Sequence, residues 1–514
     1  MKLEIMDTTL RDGEQTPGVA FSASDKLTIA KMLLTDAKVD RVEVTSAKMS
    51  AGDQEATKRI VEWARKKRLE NRIEVLAFVD GKQSIDWLRE TGVTTANLLC
   101  KSSLRHLSGQ LHKSPEEHIR DIEAFCTAAT EQGIHINIYL EDWSNGVRTD
   151  YEYVTFLMKH LLALGCVDRF MLADTLGILS PDQTYELVRK MVTDFPSTHF
   201  DFHGHNDYDL AVANSLMAVK AGALGIHTTV NGLGERAGNT RLASIVSVIA
   251  DYCDNVALSV NEEALDRVAK TVEALSGIRI PQNQPVTGEA VFTQTCGVHA
   301  DGDSKDMLYC NALAPERFGR IRKYALGKTS GKANVVKNIE ELGLDLDEKS
   351  LAKVTARIVE LGDRKESVTT DELPYLIRDV LGTGEEKERV KIQNYYLCHA
   401  RDLKPVATIS IIIDGEVHEA SASGDGQYDA FMRALEKIYH SLGRELPQLL
   451  DYSVTIPPGG RTSAFVETII TWHDADGHDF KTHGLDCDQA ASAIKATVKM
   501  LNATGNSEAY EAQR

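Results

Sequence analysis

The sequence predicts an α/β protein whose first part is a (β/α)8 barrel and whose last part is a small α+β domain. Three observations indicate this arrangement. Across about the first 265 residues, eight short runs rich in β-branched residues alternate with amphipathic, helix-like stretches. Polar residues gather where these runs end, and the catalytic face of such barrels lies at the carboxyl ends of the strands. From about residue 388 onward, a pattern of strands followed by a helix occurs twice.

The predicted barrel strands are short, and helix-like stretches such as residues 22–37 and 180–194 separate them. The eight runs are residues 3–9, 39–47, 72–80, 94–101, 135–142, 168–175, 199–206 and 225–232. Periodicity alone does not distinguish a closed barrel from an open doubly wound sheet, which is the alternative. The strand-end polar residues favour the barrel, and they are Arg11, Asp12, Glu43, Glu141, Asp174, Thr175, His203 and His205.

Changes in composition divide the chain into three predicted regions. Residues 1–265 form the catalytic barrel. Residues 266–387 are mostly helical and charged, and this linker region is expected to cover the active site. One of its polar loops carries His299 and Tyr309, which are of interest only if that loop covers the barrel rim. Residues 388–514 repeat a βββα unit, which predicts a small pseudo-twofold domain.

Composition excludes several classes of protein. The net charge of −18 over 514 residues argues against nucleic acid as the main partner. The sequence has no run of about 18 apolar residues, so no membrane span is expected. The N-terminus turns acidic at once and lacks the apolar stretch of a signal peptide, so a cytoplasmic location is expected. The eight cysteines form no CxxC pair and are expected to be buried, reduced thiols.

The most specific signal for function is a pair of segments about 190 residues apart, DTTLRDGEQ (7–15) and HGHND (203–207). His203 and His205 are two residues apart, so on a strand both imidazoles face the same side. With the carboxylate of Asp12 they would bind a divalent metal ion and leave positions open for a chelating substrate, whose carbonyl the ion would polarise. An aspartate before glycine is usually a turn residue, and an HxH pair is more often structural. Their occurrence together at two predicted strand ends makes the metal site the better interpretation.

Further candidates lie beside these segments. The guanidinium of Arg11 could donate to an oxyanion, with a surface ion pair as the alternative. The carboxylate of Glu141 ends a predicted strand and could accept a proton, with a solvated carboxylate as the alternative. The glycine-rich stretch 231–240 looks like a dinucleotide-binding loop, but no acidic residue follows on a second strand. It better suits backbone amides that face a phosphate or a pantetheine group, and Asn239 could reach the metal.

Several motifs resemble those of one enzyme family. TLRDGEQ, HGHND, NGLGERAGN, FTQTCGVHADG and YALGKTSGK are similar to motifs of the metal-dependent, Claisen-condensing synthases of isopropylmalate, homocitrate and citramalate. The resemblance covers essentially the whole chain, and the C-terminal repeat is similar to that family's regulatory domain. Further segments most resemble the branch of the family that uses pyruvate, namely VDRVE, AFVDG, YLEDWSNG, GHNDYDL and IPPGGRT (456–462).

The resemblance implies an acyltransferase that condenses acetyl-CoA with pyruvate and water and releases CoA, as the first step of a route to isoleucine. It implies a homodimer in which part of each site comes from the neighbouring subunit. The implied ligands of a Mg, Mn, Co or Zn ion are Asp12, His203, His205 and Asn239. The other implied roles are oxyanion stabilisation by Arg11, binding of the 2-oxo acid carboxylate by Thr175, proton removal from acetyl-CoA by Glu141, and completion of the site by the neighbouring subunit through His299 and Tyr309.

Tyr139 decides the choice of substrate in this interpretation. It lies two residues before Glu141 and therefore on the same face of the strand. The resemblance implies a small residue at this position in enzymes that take a larger 2-oxo acid. With Leu76 and Leu99, Tyr139 is expected to line a small apolar pocket that fits the methyl group of pyruvate, although ordinary barrel packing is the alternative for both leucines.

Two rival functions remain open from the sequence. One is a 2-isopropylmalate synthase, which has the same chemistry and a larger pocket. The other is a thioester lyase similar to 3-hydroxy-3-methylglutaryl-CoA lyase, against which the linker and the C-terminal repeat argue. The resemblance also implies inhibition by an amino acid, isoleucine rather than leucine. The residues expected to line the effector site are Tyr428, Tyr452, Ile456, Val466 and Gln489, with packing contacts as their alternative role.

Overall fold

The computed structural model describes residues 1–363, 368, 370, 373–381, 389–456, 466–475 and 477–504. The chain forms two compact units, which are Met1–Phe292 with Asn311–Ile321, and Thr293–Cys310 with Arg322–Arg514. The predicted boundary at 387/388 lies outside the described residues, as do positions 457–462 of the IPPGGRT motif.

Eight parallel strands close into a barrel, each beside the next in chain order. The strands are β1 (Glu4–Asp7), β2 (Arg41–Ser46), β3 (Ile73–Phe78), β4 (Thr95–Lys101), β5 (His135–Glu141), β6 (Val167–Asp174), β7 (Phe200–Gly204) and β8 (Gly225–Thr228). Pairing of β1 with β8, in which Met6 lies beside His227, closes the sheet. The predicted (β/α)8 barrel is therefore confirmed, and the alternative of an open sheet is wrong.

Helices pack against the outside of the strands, where their buried residues join one apolar core. They are α1 (Ala23–Lys31), α2 (Ala51–Lys67), α3 (Gln83–Thr91), α4 (Leu104–His106), α5 (Pro115–Glu131), α6 (Trp143–Thr149), α7 (Tyr151–Ala163), α8 (Pro181–Asp194), α9 (Ala211–Ala221), α10 (Leu242–Tyr252) and α11 (Leu265–Ser276). Ser22, Ser114 and Ser180 each start a helix with a capping box, in which the serine hydroxyl accepts from an amide one turn ahead. Local sequence therefore sets where these helices begin.

The interior of the barrel contains an ionic part and an apolar part. The buried guanidinium of Arg41 donates to Glu74 at 3.1 Å and to Asp201 at 2.6 Å. A small buried cluster, separate from the outer core, lies inside the barrel and consists of Met6, Leu76, Tyr139, Met171 and Ala173. The barrel is thus a packed core, and a ligand can bind only at its rim.

The second unit begins with a small, mostly helical part. Its elements are β9 (Thr293–Gln294), α12 (Gly297–Ser304), β10 (Lys323–Tyr324), α13 (Lys332–Glu341), α14 (Glu348–Asp363) and α15 (Leu373–Leu381). Apolar residues of the last three helices, among them Val335, Val354 and Ile377, form a core of their own. The change to a helical character after the barrel agrees with the composition of this region.

The C-terminal part consists of two βββα units. The first is β11 (Val390–Cys398), β12 (Val406–Ile413), β13 (Glu416–Ser423) and α16 (Gln427–Ser441), and the second is β14 (Gln448–Thr455), β15 (Val466–His473), β16 (Asp479–Asp486) and α17 (Gln489–Thr504). Each set of three strands forms an antiparallel sheet. The two βββα units share one apolar core, which includes Phe431 and Trp472. The predicted repeat is therefore confirmed.

Two expectations from composition concern membranes and thiols. Within the described ranges, no helix is long and apolar enough to cross a bilayer. Of the eight cysteines, Cys100 and Cys126 are buried, four are half-buried, and Cys398 and Cys487 are exposed. The expectation of burial is wrong for the last two because they lie at the end of β11 and just before α17, outside the apolar core.

Asp7, the last residue of β1, carries a buried carboxyl group. The amide of Thr9 donates to its Oδ1 at 2.9 Å, and the hydroxyl of Thr228 donates to its Oδ2 at 3.3 Å. Burial raises the pKa of Asp7 from 3.8 to about 6, and the hydrogen bonds offset only part of that effect. Above about pH 6 the ionised carboxylate therefore destabilises the folded barrel.

We expect Asp7→Asn to raise the free energy of unfolding at pH 7.5 by about 2–3 kcal/mol, since the variant has no buried charge. A raised pKa in the folded state makes wild-type stability fall as pH rises from about 4 to about 6, so the advantage of the variant is smaller at pH 5. Urea unfolding followed by tryptophan fluorescence measures both values, because three of the four tryptophans lie in the first unit. A midpoint at pH 7.5 that is unchanged or lower would contradict this account.

Candidate metal centre and active site

Asp12, His203 and His205, the predicted metal ligands, lie together at the carboxyl-terminal rim of the barrel. Asp12 Oδ2 is 3.1 Å from His203 Nε2 and 4.0 Å from His205 Nε2, and the two Nε2 atoms are 3.3 Å apart. Ligand atoms that bind one ion at about 2.1 Å and subtend about 90–110° are about 3.0–3.4 Å apart. Two of the three separations lie in this range, and a small movement of His205 towards Asp12 would bring the third, 4.0 Å, into it, so the group could hold one divalent ion. The part of the chain that the structure describes contains no other such group of three His, Cys, Asp or Glu side chains.

Strand β7 and the loops after β1 and β8 bring these groups together. His203 lies in β7 and His205 follows it, so the alternation of the strand turns both imidazoles to the same side. Asp12 begins a short 3-10 turn, Gly13–Gln15, directly after β1. A backbone bridge between His205 and Asn239 fixes the loop after β8 against the end of β7. The predicted fourth ligand thus comes from an element that joins the rim by backbone pairing.

Asn239 has the position of a ligand. Its Nδ2 donates to Asp12 Oδ2 at 2.9 Å, whereas its buried Oδ1 has no hydrogen-bond partner within the described residues. Rotation of the amide by half a turn would direct the oxygen towards Asp12 and His203. The loop 231–240 approaches this amide closely, since a Cβ at Gly234 would lie 1.9 Å from Asn239 Oδ1. A buried oxygen without a hydrogen-bond partner, next to one carboxylate and two imidazoles, fits a cation site.

The protonation states of these groups suit metal binding. Burial opposes charge on Asp12, but the guanidinium of Arg11 and the imidazole of His203 hold the pKa of its carboxyl well below the usual value. Burial lowers the pKa of His205 to about 4, so its ring is neutral at pH 7. Metal ions bind ionised carboxylates and neutral imidazoles. The residues present therefore fit a divalent cation, and their nitrogen and oxygen atoms suit Mg, Mn, Co or Zn.

Arg11 is held from three directions beside the candidate metal site. Its Nε donates to Glu43 at 2.6 Å, its Nη2 donates to the hydroxyl of Tyr139 at 3.1 Å, and its Nη1 lies 3.1 Å from Asp12 Oδ1. Burial opposes its charge, but Asp12 and Glu43 raise the pKa of the guanidinium well above its usual value. The two hydrogen bonds use two of its five N–H groups. A fixed, charged donor at this place can stabilise negative charge on a substrate oxygen.

Glu141 and Thr175 lie at the ends of the neighbouring strands β5 and β6. The ammonium of the buried Lys101 donates to the Glu141 carboxylate. The hydroxyl oxygen of Thr175 accepts from the amide of Asp142 at 2.9 Å, which leaves its hydrogen available to a ligand. The rim therefore offers a carboxylate and a hydroxyl donor next to the candidate metal ligands.

The three residues predicted to line the substrate pocket come together. Tyr139 is 2% exposed and packs with Leu76 in the inner cluster, and Leu99 lies at the edge of that cluster. The ring of Tyr139 meets the ring of His203 edge-on, with 5.6 Å between centroids. Tyr139, the predicted wall of the pocket, is thus in contact with a candidate metal ligand.

The remaining predicted catalytic residues belong to the second unit. His299 lies in α12, and its ring stacks on the ring of Tyr309 with 4.2 Å between centroids. Both residues are thus neighbours in a loop-rich segment, as their positions ten residues apart allow.

The predicted effector residues lie in the C-terminal part. Tyr428 and Tyr452 stack with 5.4 Å between ring centroids, and Val466 is buried in β15. Ile456 is exposed, and Gln489 begins α17. These side chains come from both βββα units, so the stacked tyrosines join the two halves of the repeat.

Three buried polar residues behind the rim were not predicted from the sequence: Asn97, Lys101 and His227. Asn97 donates to Glu43 at 2.7 Å and thereby supports the partner of Arg11. Asn97 and Lys101 each lie two residues from Leu99, so the alternation that places Leu99 inside the barrel also places them there. All three could have been found in the sequence as polar residues at positions of a predicted strand that face the barrel interior.

Comparison with known proteins agrees with this fold. The sequence models described as HMGL-like, homocitrate synthase post-HMGL domain-like and LeuA allosteric (dimerisation) domain match residues 2–272, 286–366 and 367–504. Together with the barrel, these matches define a metal-dependent enzyme that uses acetyl-CoA. The chain belongs to the HMGL-like family and, within it, to the acetyl-CoA-condensing synthases.

Individual relatives carry two different names. A protein named "Probable 2-isopropylmalate synthase" from Methanopyrus kandleri is 34% identical over 98% of both chains. Methanocaldococcus jannaschii has a "2-isopropylmalate synthase" that is 31% identical over 98% of this chain and 94% of its own. It also has an "(R)-citramalate synthase CimA" that is 31% identical over 91% of this chain and 93% of its own. Because both names occur at similar identity, the relatives do not decide between the two substrates.

Proposed function

We propose that the protein is an (R)-citramalate synthase, an acyltransferase that joins acetyl-CoA to pyruvate with the consumption of water and release of CoA, as the first step of a pyruvate route to isoleucine. The observation that carries this proposal is the buried ring of Tyr139, which lies beside Arg11 and against His203. A 2-oxo acid held at the rim would direct its side chain towards this ring. A methyl group would fit beside this ring, whereas an isopropyl group would overlap it, and packed interiors resist such overlap.

The proposed site binds the 2-oxo acid through several groups. The residues that would hold the metal ion are Asp12, His203, His205 and Asn239. When bound, the ion would polarise the keto group of the substrate. Thr175 would donate its hydroxyl hydrogen to the substrate carboxylate. Arg11, fixed by Glu43 and Tyr139, would donate to the keto oxygen as that oxygen becomes negative.

The same proposal assigns the movement of protons and of carbon. Glu141 would remove a proton from the methyl group of acetyl-CoA, and the thioester enolate would attack the keto carbon of pyruvate. The new C–C bond forms as the keto electron pair moves to oxygen, which then takes the proton that Glu141 removed, so that the carboxylate is regenerated. Lys101 would keep the carboxylate of Glu141 in place through its hydrogen bond. Water then attacks the thioester carbonyl, and CoA leaves as the thiol.

The test compares CoA release from acetyl-CoA with pyruvate and with 2-oxoisovalerate. We expect kcat/KM to be at least about 100-fold higher for pyruvate, and a chelator to stop the reaction. Tyr139→Ser is expected to narrow the ratio because it enlarges the pocket. Tyr139→Phe is the matched control, since it keeps the volume and removes only the hydroxyl that Arg11 contacts. Its ratio is expected to stay as in the wild type.

The alternative with specific support is a 2-isopropylmalate synthase, because relatives with that name match the whole chain. Comparable rates with both acids, or a preference for 2-oxoisovalerate, would favour this alternative and refute the proposal. If Tyr139→Ser leaves the ratio of kcat/KM values for the two acids unchanged, Tyr139 does not form the wall of the pocket. A lyase is disfavoured, since two further family models match the chain beyond the barrel.

The proposal extends to assembly and regulation. We propose a homodimer in which His299 and Tyr309 of the neighbouring subunit complete each site, with domains of 1–265, 266–387 and 388–514. The match to the LeuA allosteric (dimerisation) domain supports this arrangement. Of the five proposed effector residues, Tyr428 lines an open cavity of about 620 Å³ in the C-terminal part. We propose an amino-acid effector, isoleucine, on the basis of the match to the allosteric domain. Titration of isoleucine and of leucine into the CoA-release assay distinguishes these two effectors.

A further inference from the structure

His227 lies inside the barrel, directly behind the candidate metal ligands, and has three polar neighbours. Its Nδ1 is 3.3 Å from His203 Nδ1 and 3.1 Å from the hydroxyl of Tyr139. Its Nε2 is 3.2 Å from Asp201 Oδ2. The β7–β8 register, in which Phe202 lies beside Ile226, brings His203 next to His227. The ring is 1% exposed, so water does not compete for these contacts.

The direction of each hydrogen bond follows from the partners of Asp201. This carboxylate already accepts from Arg41 at 2.6 Å and contacts His199 Nε2 at 3.0 Å. A carboxylate in such a setting is an acceptor, so the Nε2 of His227 carries the hydrogen. A neutral imidazole has one N–H, and the Nδ1 of His227 therefore presents its lone pair to the rim.

Two donors face that lone pair. His203 turns Nε2 towards Asp12 and His205, so as a metal ligand it must carry its hydrogen on Nδ1, which points at His227. The hydroxyl of Tyr139 accepts from Arg11 and lies 3.1 Å from His227 Nδ1 and 3.4 Å from Glu43 Oε2, so it can donate its hydrogen to the Glu43 carboxylate instead. The single lone pair of His227 is then left to accept from His203.

We propose that His227 is a positioning residue, whose Nδ1 lone pair fixes the tautomer and orientation of His203 for metal binding. This inference rests on the proposed function, because it requires that His203 binds a metal ion. The chain of contacts runs from Arg41 through Asp201 and His227 to His203. It therefore connects the buried ionic part of the barrel interior to the rim.

Two substitutions of similar size test the Nδ1 acceptor and the Nε2 donor of His227 separately. In His227→Asn the side-chain oxygen can take the place of Nδ1, so the acceptor is kept and the donor to Asp201 is lost. In His227→Gln the amide nitrogen can take the place of Nε2, so the donor is kept and the acceptor near His203 is lost. His227→Leu loses both. The melting temperature of each variant shows whether it folds.

The readout is the affinity of the full-length, metal-free protein for Mn2+, measured by calorimetric titration without substrate. We expect His227→Gln and His227→Leu to bind Mn2+ about 10–100-fold more weakly than the wild type, the range typical of residues behind metal ligands. His227→Asn is expected to bind within about threefold of the wild type on the same reasoning. A purely structural role would weaken all three variants together with their melting temperatures.

Several outcomes would overturn the inference. Equal affinity in the wild type, His227→Gln and His227→Leu would show that His203 does not need the acceptor. Equal losses in His227→Asn and His227→Gln would show that the acceptor is not the decisive atom. If the wild type does not bind Mn2+, the proposed metal site fails and the inference fails with it. If the wild type binds Mn2+ but does not use pyruvate, only the substrate assignment fails, and the titration of the variants still decides the role of His227.

Discussion

Replacement of Asp12 with asparagine is expected to abolish tight binding of Mn2+ and to lower the rate of CoA release by more than about 1,000-fold. The amide removes the only carboxylate among the three described side chains that converge on the site. A polarising metal ion contributes several kcal/mol to stabilisation of the transition state, and each 1.4 kcal/mol is a factor of ten in rate. The substitution also removes the ion pair between Asp12 and Arg11, whose charged atoms are 3.1 Å apart. It therefore affects both the metal ion and Arg11, the two groups that would stabilise negative charge on the substrate.

The loss of Mn2+ binding can be measured without substrate, as the absence of the rise in melting temperature that added Mn2+ causes in the wild type. A ligand that binds only the folded state stabilises it in proportion to its affinity, so the wild type should melt higher as Mn2+ is added and Asp12→Asn should not. Asp7→Asn is the matched control, because it makes the same change at an equally buried position five residues earlier and leaves the metal ligands intact. A full Mn2+ response in Asp12→Asn would refute the ligand set.

The fold could be predicted because its determinants are local. Each barrel strand has a run of β-branched residues, and the observed strands lie within a few residues of the predicted ones. The strand ends were less certain. The run 225–232 was predicted as one strand, but β8 ends at Thr228 and a short 3-10 turn follows at Val230–Gly232. The turn contains Asn231 with a φ of 58°, which a strand cannot contain.

The candidate site could be predicted only in part, because some of its residues are placed by their position at strand ends and others by contacts between strands. Asp12, His203 and His205 follow strand ends, and the carboxyl ends of parallel strands meet at one rim, so sequence position alone places them together. The role of His227 depends instead on the register between β7 and β8 and on the hydrogen bond to Asp201. Contacts of that kind join residues far apart in the chain, and periodicity carries no information about them.

A buried ionic cluster lies in the barrel interior behind the rim. The guanidinium of Arg41 is buried among Glu74, Asp201 and Glu4, with distances of 2.6–3.2 Å to their carboxylates. A buried charge that loses its partner destabilises a protein strongly, so strand arrangements that separate these groups are disfavoured. His227 lies between this cluster and the metal ligands. The candidate ligand His203 is therefore linked by contacts to residues that lie outside the proposed substrate site.

Arg11→Lys is expected to lower kcat with pyruvate by about 100–1,000-fold, the loss typical of one donor to a developing oxyanion. The guanidinium contacts Glu43, Tyr139 and Asp12 through three different nitrogen atoms. A lysine ammonium is a single point charge on a flexible chain and cannot keep these contacts while it donates to the substrate. Mn2+ affinity should change little, because Arg11 is not a ligand, so the loss appears in kcat.

Steady-state CoA release at saturating Mn2+ measures this effect, and Mn2+ titration of the same sample shows that the site is occupied. Arg59→Lys is the control, since Arg59 lies on the outer face of α2 in an exposed ion pair with Glu55. Exposed pairs of this kind contribute about 0–1 kcal/mol, so this variant should keep wild-type kcat. If Arg11→Lys kept a kcat within about fivefold of the wild type, well below the loss expected for an oxyanion donor, Arg11 would not be the group that stabilises the oxyanion.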